Sequence, residues 1–120
     1  VKIDAVTLLV SDMARSVAFY EVVGIDEVVF GGPDAPFTTL RVGDDHLNLS
    51  GAEGPPAGFW GRIVVHVDSP DLVHAALVAA GHEPEMAPTD APWGERYFHV
   101  RDPDGHELSF ATPVPGHPRP

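Results

Sequence analysis

The chain has 120 residues, 43% of them hydrophobic, and no cysteine, so disulfides, thiolate metal sites and Cys nucleophiles are excluded. It carries 18 Asp and Glu against 7 Lys and Arg, a formal net charge of -11 with His neutral. That balance repels nucleic acid and draws cationic ligands over roughly a Debye length, about 8–10 Å. No apolar run approaches the roughly 18 residues that read as a membrane span. The opening Val1-Lys2-Ile3-Asp4 lacks the shape of a signal peptide. A cytoplasmic, single-domain protein is the expectation, with no nucleic acid and no membrane among its partners.

In chain order, Ile3–Val10 reads as a strand. Ser11 or Asp12 caps a helix that runs to about Val23, and Gly24 stops it. Val17, Tyr20 and Val23 form its inward stripe. Strands are expected at Ile25–Phe30, Phe37–Val42 and His46–Ser50, with a turn at Asp44-Asp45. Gly51 to Gly58 is the strongest internal boundary. Beyond it the order repeats. Arg62–Val67 is a strand, and Asp68-Ser69-Pro70 opens a helix to about Ala80 that Gly81 ends. A weak strand is expected at Glu83–Ala87, then Arg96–Arg101 and Glu107–Ala111 around the Asp102-Pro103-Asp104-Gly105 turn. The pattern is βαβββ twice, an α+β fold of eight strands and two main helices. The first module spans residues 1–50, a linker 51–60, the second module 61–112, and a disordered tail 113–120.

Two stretches carry a resemblance. Leu8-Leu9-Val10-Ser11-Asp12-Met13-Ala14-Arg15-Ser16-Val17-Ala18-Phe19-Tyr20 with Val23-Gly24, and Arg101-Asp102-Pro103-Asp104-Gly105-His106-Glu107-Leu108, resemble the signatures of the vicinal oxygen chelate superfamily, which includes glyoxalase I, extradiol dioxygenases and bleomycin-resistance proteins. The resemblance covers about residues 3–112. It implies paired βαβββ modules, commonly dimeric, around a cup-shaped cavity. It also implies four metal-ligand positions, one on each of four strands, which fall here on Ala5, Asn48, Arg62 and Ser109. Ala has no ligand atom and Arg is permanently cationic, while Asn and Ser are weak neutral donors. The pattern is closest to the metal-free, bleomycin-resistance-like members, so no cofactor is expected.

Strand alternation, anchored on those four positions, turns Thr7, His46, His66 and Glu107 to the same side, and a resemblance to the fosfomycin-resistance members puts Tyr97 and His99 of the seventh strand inward as well. The cavity expected is lined by Thr7, His46, Asn48, Arg62, His66, Tyr97, His99, Glu107 and Ser109, with Phe59, Trp60 and Trp93 near its rim. His46, His66, His99 and Glu107 form the candidate set for a displaced metal site. Arg62 either meets an anionic or carbonyl group of a ligand or pairs with Glu107. His74, His82 and His117 are assigned no function. Pro92-Trp93-Gly94 resembles the Trp-Gly pair that precedes the seventh strand of bleomycin-resistance proteins. The only lysine is Lys2, and no Gly-x-Ser-x-Gly elbow or phosphate-binding loop occurs.

The reading is a small-molecule-binding homodimer that sequesters a small aromatic compound such as an antibiotic, with the acidic balance favouring a cationic one. The alternative is a lyase or dioxygenase-like enzyme of the same superfamily, using a displaced His/Glu metal site. No catalytic residue is assigned.

Overall fold

The computed structural model describes residues 1–116. The chain runs β1 (Ala5–Val10), α1 (Met13–Val22), β2 (Val28–Phe30), β3 (Phe37–Val42), β4 (Asp45–Gly51), β5 (Arg62–His66), α2 (Pro70–Ala79), β6 (Thr89–Asp90), β7 (Glu95–Arg101) and β8 (Glu107–Pro113). The fold is α+β, with two four-stranded sheets ordered β1-β4-β3-β2 and β5-β8-β7-β6. In each sheet the first and last strands of a βαβββ run pair in parallel, and the remaining pairs are antiparallel. Two compact units result: residues 1–58 with 102–106, and residues 59–101 with the described chain from 107 to 116.

Both helices start and stop by the same local chemistry. The Asp12 side chain accepts from the Arg15 N–H, and Ser69 accepts from Leu72 N–H, with Pro70 in the first turn of α2. At the other end, Gly24 N–H donates to Glu21 O and Ile25 N–H to Tyr20 O. Gly81 to Val78 and His82 to Leu77 repeat the arrangement. These are Schellman motifs, and they need the positive φ of +94° at Gly24 and +90° at Gly81. Because the Ile25 N–H is used there, β2 begins at Val28 and not at Ile25 as predicted.

Two other expectations are corrected. The β3–β4 turn is Gly43-Asp44, since Asp45 already pairs with Val42 in the ladder. Glu83–Ala87 is not a strand; β6 is the two residues Thr89–Asp90. Pro84 and Pro88 have no N–H to give a ladder. One backbone bond survives there, from Glu85 N–H to His99 O at 2.9 Å. At the chain's end β8 continues to Pro113, and Val114 N–H bonds Gly94 O at 2.9 Å, so strand pairing passes the boundary expected at 112. The rest of the predicted tail, from His117, lies outside the described residues.

In the first unit, Leu8, Val10, Leu40, Leu47 and Leu49 cover one sheet face and pack with Phe19 and Tyr20 of α1, whose rings meet edge to face at 5.1 Å. In the second, Val100, Leu108, Phe98 and Phe110 do the same with Leu77 of α2, and Phe98 stacks on Phe110 at 5.6 Å. Each such buried side chain contributes roughly 1.5–3 kcal/mol. The strand residues between these core positions point to the opposite face of each sheet, which in the second sheet is open along β5 at Arg62, Val64 and His66 and buried along β8 at Glu107, Ser109 and Ala111.

Candidate functional site

Strand register decides which side chains share an open face, because directly paired residues project to the same side. In the first unit Ala5 pairs with His46, Thr7 with Asn48, and Asn48 with Thr39. Thr39 Oγ1 donates to Asn48 Oδ1 at 2.8 Å, and Asn48 Nδ2 donates to Thr7 Oγ1 at 3.3 Å. The result is a hydrogen-bonded polar row across three strands. His46 lies one pair along, with Nδ1 3.6 Å from Asp4 Oδ1. Leu9 and Phe30 are exposed large apolar side chains of this unit.

In the second unit Arg62, Glu107 and Arg101 form one lateral row, Val64, Ser109 and His99 the next, and His66, Ala111 and Tyr97 the third. Arg62 Nη2 donates to Glu107 Oε2 at 3.1 Å, so the pairing foreseen for Arg62 is the one that forms. Arg62 also stands over the Phe59 ring, 5.8 Å from its centroid. Trp93, Tyr97 and His99 make a run of neighbouring rings, 5.5 Å and 5.2 Å between centroids. Trp93 Nε1 donates to Glu95 Oε1 at 3.2 Å, and the other oxygen of Glu95 lies 3.1 Å from His66 Nε2. Phe59, Trp60 and Trp93 are each about half exposed or more.

Electrostatics concentrate around Glu107, which is only 5% exposed. Burial works to raise its pKa, and the hydrogen bond to Glu85 with the charges of Arg62 and His99 outweighs it, holding the carboxyl below its ordinary value. His99 shifts down as well, first because it is desolvated and then because Arg62 is near, against the pull of Glu107 and Glu85.

Of the four histidine and acid residues proposed from sequence, three belong to the second unit, where His66 is engaged by Glu95 and His99 Nδ1 lies 3.7 Å from Glu107 Oε1, while His46 belongs to the first unit beside Asp4. Among the described residues one group of ligand atoms does gather, Glu85, His99 and Glu107, all within 4.8 Å of one another. Sequence reading missed Glu85, Glu95, Arg101 and Thr39. Alternation from Tyr97 and His99 reaches Glu95 and Arg101, and alternation within Phe37–Val42 reaches Thr39. Nothing of that kind reaches Glu85, because its segment is not a strand.

The four metal-ligand positions implied by the resemblance carry no ligand set. Ala5 offers no donor, Asn48 is bonded to Thr39 and Thr7, and Arg62 is paired to Glu107. Ser109 lies on the open face of β8 opposite His99 and Val64.

The family model described as the Glyoxalase/Bleomycin resistance protein/Dioxygenase superfamily matches residues 2–110. An uncharacterized protein of Mycobacterium bovis is 31% identical over 123 residues, covering 89% of this chain and 80% of the relative. Among solved structures, a bleomycin-binding protein complexed with bleomycin superposes with TM-score 0.71 at 25% identity, covering 92% of this chain and 97% of that one. A lactoylglutathione lyase from Agrobacterium tumefaciens superposes with TM-score 0.70 at 21% identity, covering 92% of each chain, and so shares the fold. With the repeated βαβββ order, the two sequence signatures and a family match across nearly the whole described chain, this protein belongs to the glyoxalase/bleomycin resistance protein/dioxygenase superfamily.

Proposed function

We propose that the protein binds a small, flat aromatic compound on the open face of its second sheet, and needs no metal at Ala5, Asn48, Arg62 or Ser109 to do so. The observation that carries this reading is the run of rings Trp93–Tyr97–His99 on a face that also carries the charged and polar Arg62, Arg101, Glu107 and Ser109. A planar ligand gains from stacking on such a run, by about 0.5–1.5 kcal/mol beyond the area it buries. The half-exposed Phe59 and Trp60 of the same unit add apolar surface. The net charge of -11 favours a cationic compound, by speeding its encounter at low salt. The bleomycin-binding relative makes a sequestered antibiotic the first ligand to try. A cytoplasmic home and a homodimer are part of the same proposal. The dimer is supported by the exposed Leu9, Phe30, Trp60 and Val64, and light scattering at tens of micromolar checks it.

The test is quenching of tryptophan fluorescence by bleomycin, in EDTA, at two salt concentrations. Saturable quenching that weakens with salt and is lost in Trp93→Ala supports the reading. An unchanged spectrum across a panel of cationic aromatic antibiotics rejects it.

A further inference from the structure

Glu85, His99 and Glu107 each bring one ligand atom within 4.8 Å of the others. Glu107 is almost fully buried. Two carboxylate oxygens and an imidazole nitrogen gathered in this way match the donor set of a divalent cation. The surroundings hold the two carboxyls in place. Each carboxyl gives one oxygen to an arginine: Glu107 Oε2 to Arg62 at 3.1 Å, and Glu85 Oε1 to Arg101 at 2.7 Å. Ligating carboxylates are commonly held by such outer partners. Glu107 Oε1 lies instead 3.7 Å from His99 Nδ1. Two atoms bound to one tetrahedral zinc ion at about 2.0–2.2 Å stand roughly 3.4 Å apart, so this separation is close to a ligating one.

Backbone structure fixes the rest. His99 and Glu107 come from β7 and β8, neighbouring strands with matched register. The Glu85 N–H is bonded to His99 O, which anchors the incoming segment beside the imidazole. All three ligand atoms are within 4.8 Å of one another, and Glu85 is the exposed member of the group.

We propose that Glu85, His99 and Glu107 bind a divalent cation of the zinc class on the open face of the second sheet. One imidazole with two carboxylates suits zinc, cobalt or nickel better than magnesium or calcium, which prefer all-oxygen shells. The site differs from the family's four positions: Glu107 stands two residues before Ser109, and Glu85 and His99 belong to none of the four strands that carry those positions. Three protein ligands leave coordination positions for water or for a ligand donor atom. This departs from the expectation, drawn from the sequence, that the protein holds no metal. It shares His99 with the ring run and uses none of Phe59, Trp60 or Trp93, and a chain that binds no metal keeps all its rings, so its failure leaves the stacking proposal standing.

The experiment is calorimetric titration of the untagged, EDTA-treated chain with zinc chloride, and with cobalt chloride while following visible absorption. One ion should bind per chain, with a cobalt spectrum of low symmetry. His99→Ala and Glu85→Gln should each weaken zinc by at least about tenfold, as loss of a ligand does. His82→Ala should bind as the parent does. Glu85→Gln changes an exposed side chain, so it reports even if a variant at Glu107 fails to fold. Absence of stoichiometric zinc binding, or His99→Ala binding as tightly as the parent, overturns the proposal and leaves the two carboxyls as partners of Arg62 and Arg101 alone.

Discussion

The Tyr20 hydroxyl donates to Asp102 Oδ2 at 2.6 Å, joining two side chains 82 positions apart in sequence, both within the first compact unit. This bond connects the two signature stretches, and others run beside it. Asp104 accepts from Ser11 N–H at 2.9 Å, from Ser11 Oγ at 2.7 Å and from Ser16 Oγ at 3.3 Å. His106 Nε2 lies 2.8 Å from Leu9 O. Asp102 Oδ1 also ties down its own turn, accepting from the N–H groups of Asp104 and His106. Asp102, Asp104 and His106 are all buried. The residues that betray the family in the sequence therefore do structural work: their carboxylates satisfy the start of α1 and the phenol at its far end.

Removing the phenol oxygen should be costly. In Tyr20→Phe the buried Asp102 carboxylate loses a donor, and a hydrogen bond to a charged group is worth about 1.5–3 kcal/mol. Urea denaturation should show a loss in that range with an unchanged slope. A loss below about 0.5 kcal/mol would mean that another donor takes the place of the phenol.

Tyr20 also sets an alkaline limit. Burial, and then the negative charge of Asp102, push its pKa well above the ordinary tyrosine range. An unfolded tyrosine loses its proton near pH 10, while the folded one keeps it. The unfolded chain then binds fewer protons, so stability must fall as pH rises above about 10. Phenolate absorbance should show one of the two tyrosines ionising only as the chain unfolds.

Gly105 sits at φ +88°, where a Cβ would meet Ala57 O at 2.8 Å. The same approach brings Ala57 N–H to Asp104 O at 2.7 Å. Gly105→Ala combines an unfavourable backbone region with a clash against backbone, and should destabilise by more than about 1 kcal/mol. Thermal melting checks this, and an unchanged Tm would show that the turn can relax.

His99 should titrate below an ordinary histidine, since burial and then Arg62 lower its pKa. Between the unfolded value near 6.5 and the lower folded one, the unfolded chain binds the extra proton. Stability is therefore unaffected by this group above about pH 7 and falls as the pH drops through 6.5. Imidazole proton shifts in NMR give the folded pKa. Arg62→Gln should raise it by removing a neighbouring positive charge.

Much of the fold was legible in the chain because its causes are local. Phe37–Val42 alternates and is a strand over just those residues, and Asp12, Ser69, Gly24 and Gly81 mark helix ends by side-chain and backbone chemistry within a few positions. Alternation grouped Glu107 with Ser109, the family resemblance put Tyr97 and His99 on the same side, and the register pairs His99 with Ser109. Where local rules met a competing local use, they misled: the Ile25 N–H was taken by the helix cap, and Pro84 removed a donor from Glu83–Ala87. Contact between distant side chains was beyond the sequence. Period-2 alternation gives the side of a sheet and not the partner, so it grouped His66 with His99 when Glu95 holds His66, and it gave no sign of Glu85. The tertiary structure alone brought Glu85 to His99 and Tyr20 to Asp102, because the positions of those groups follow from the register of whole strands and the course of connecting segments, which no short stretch of residues encodes.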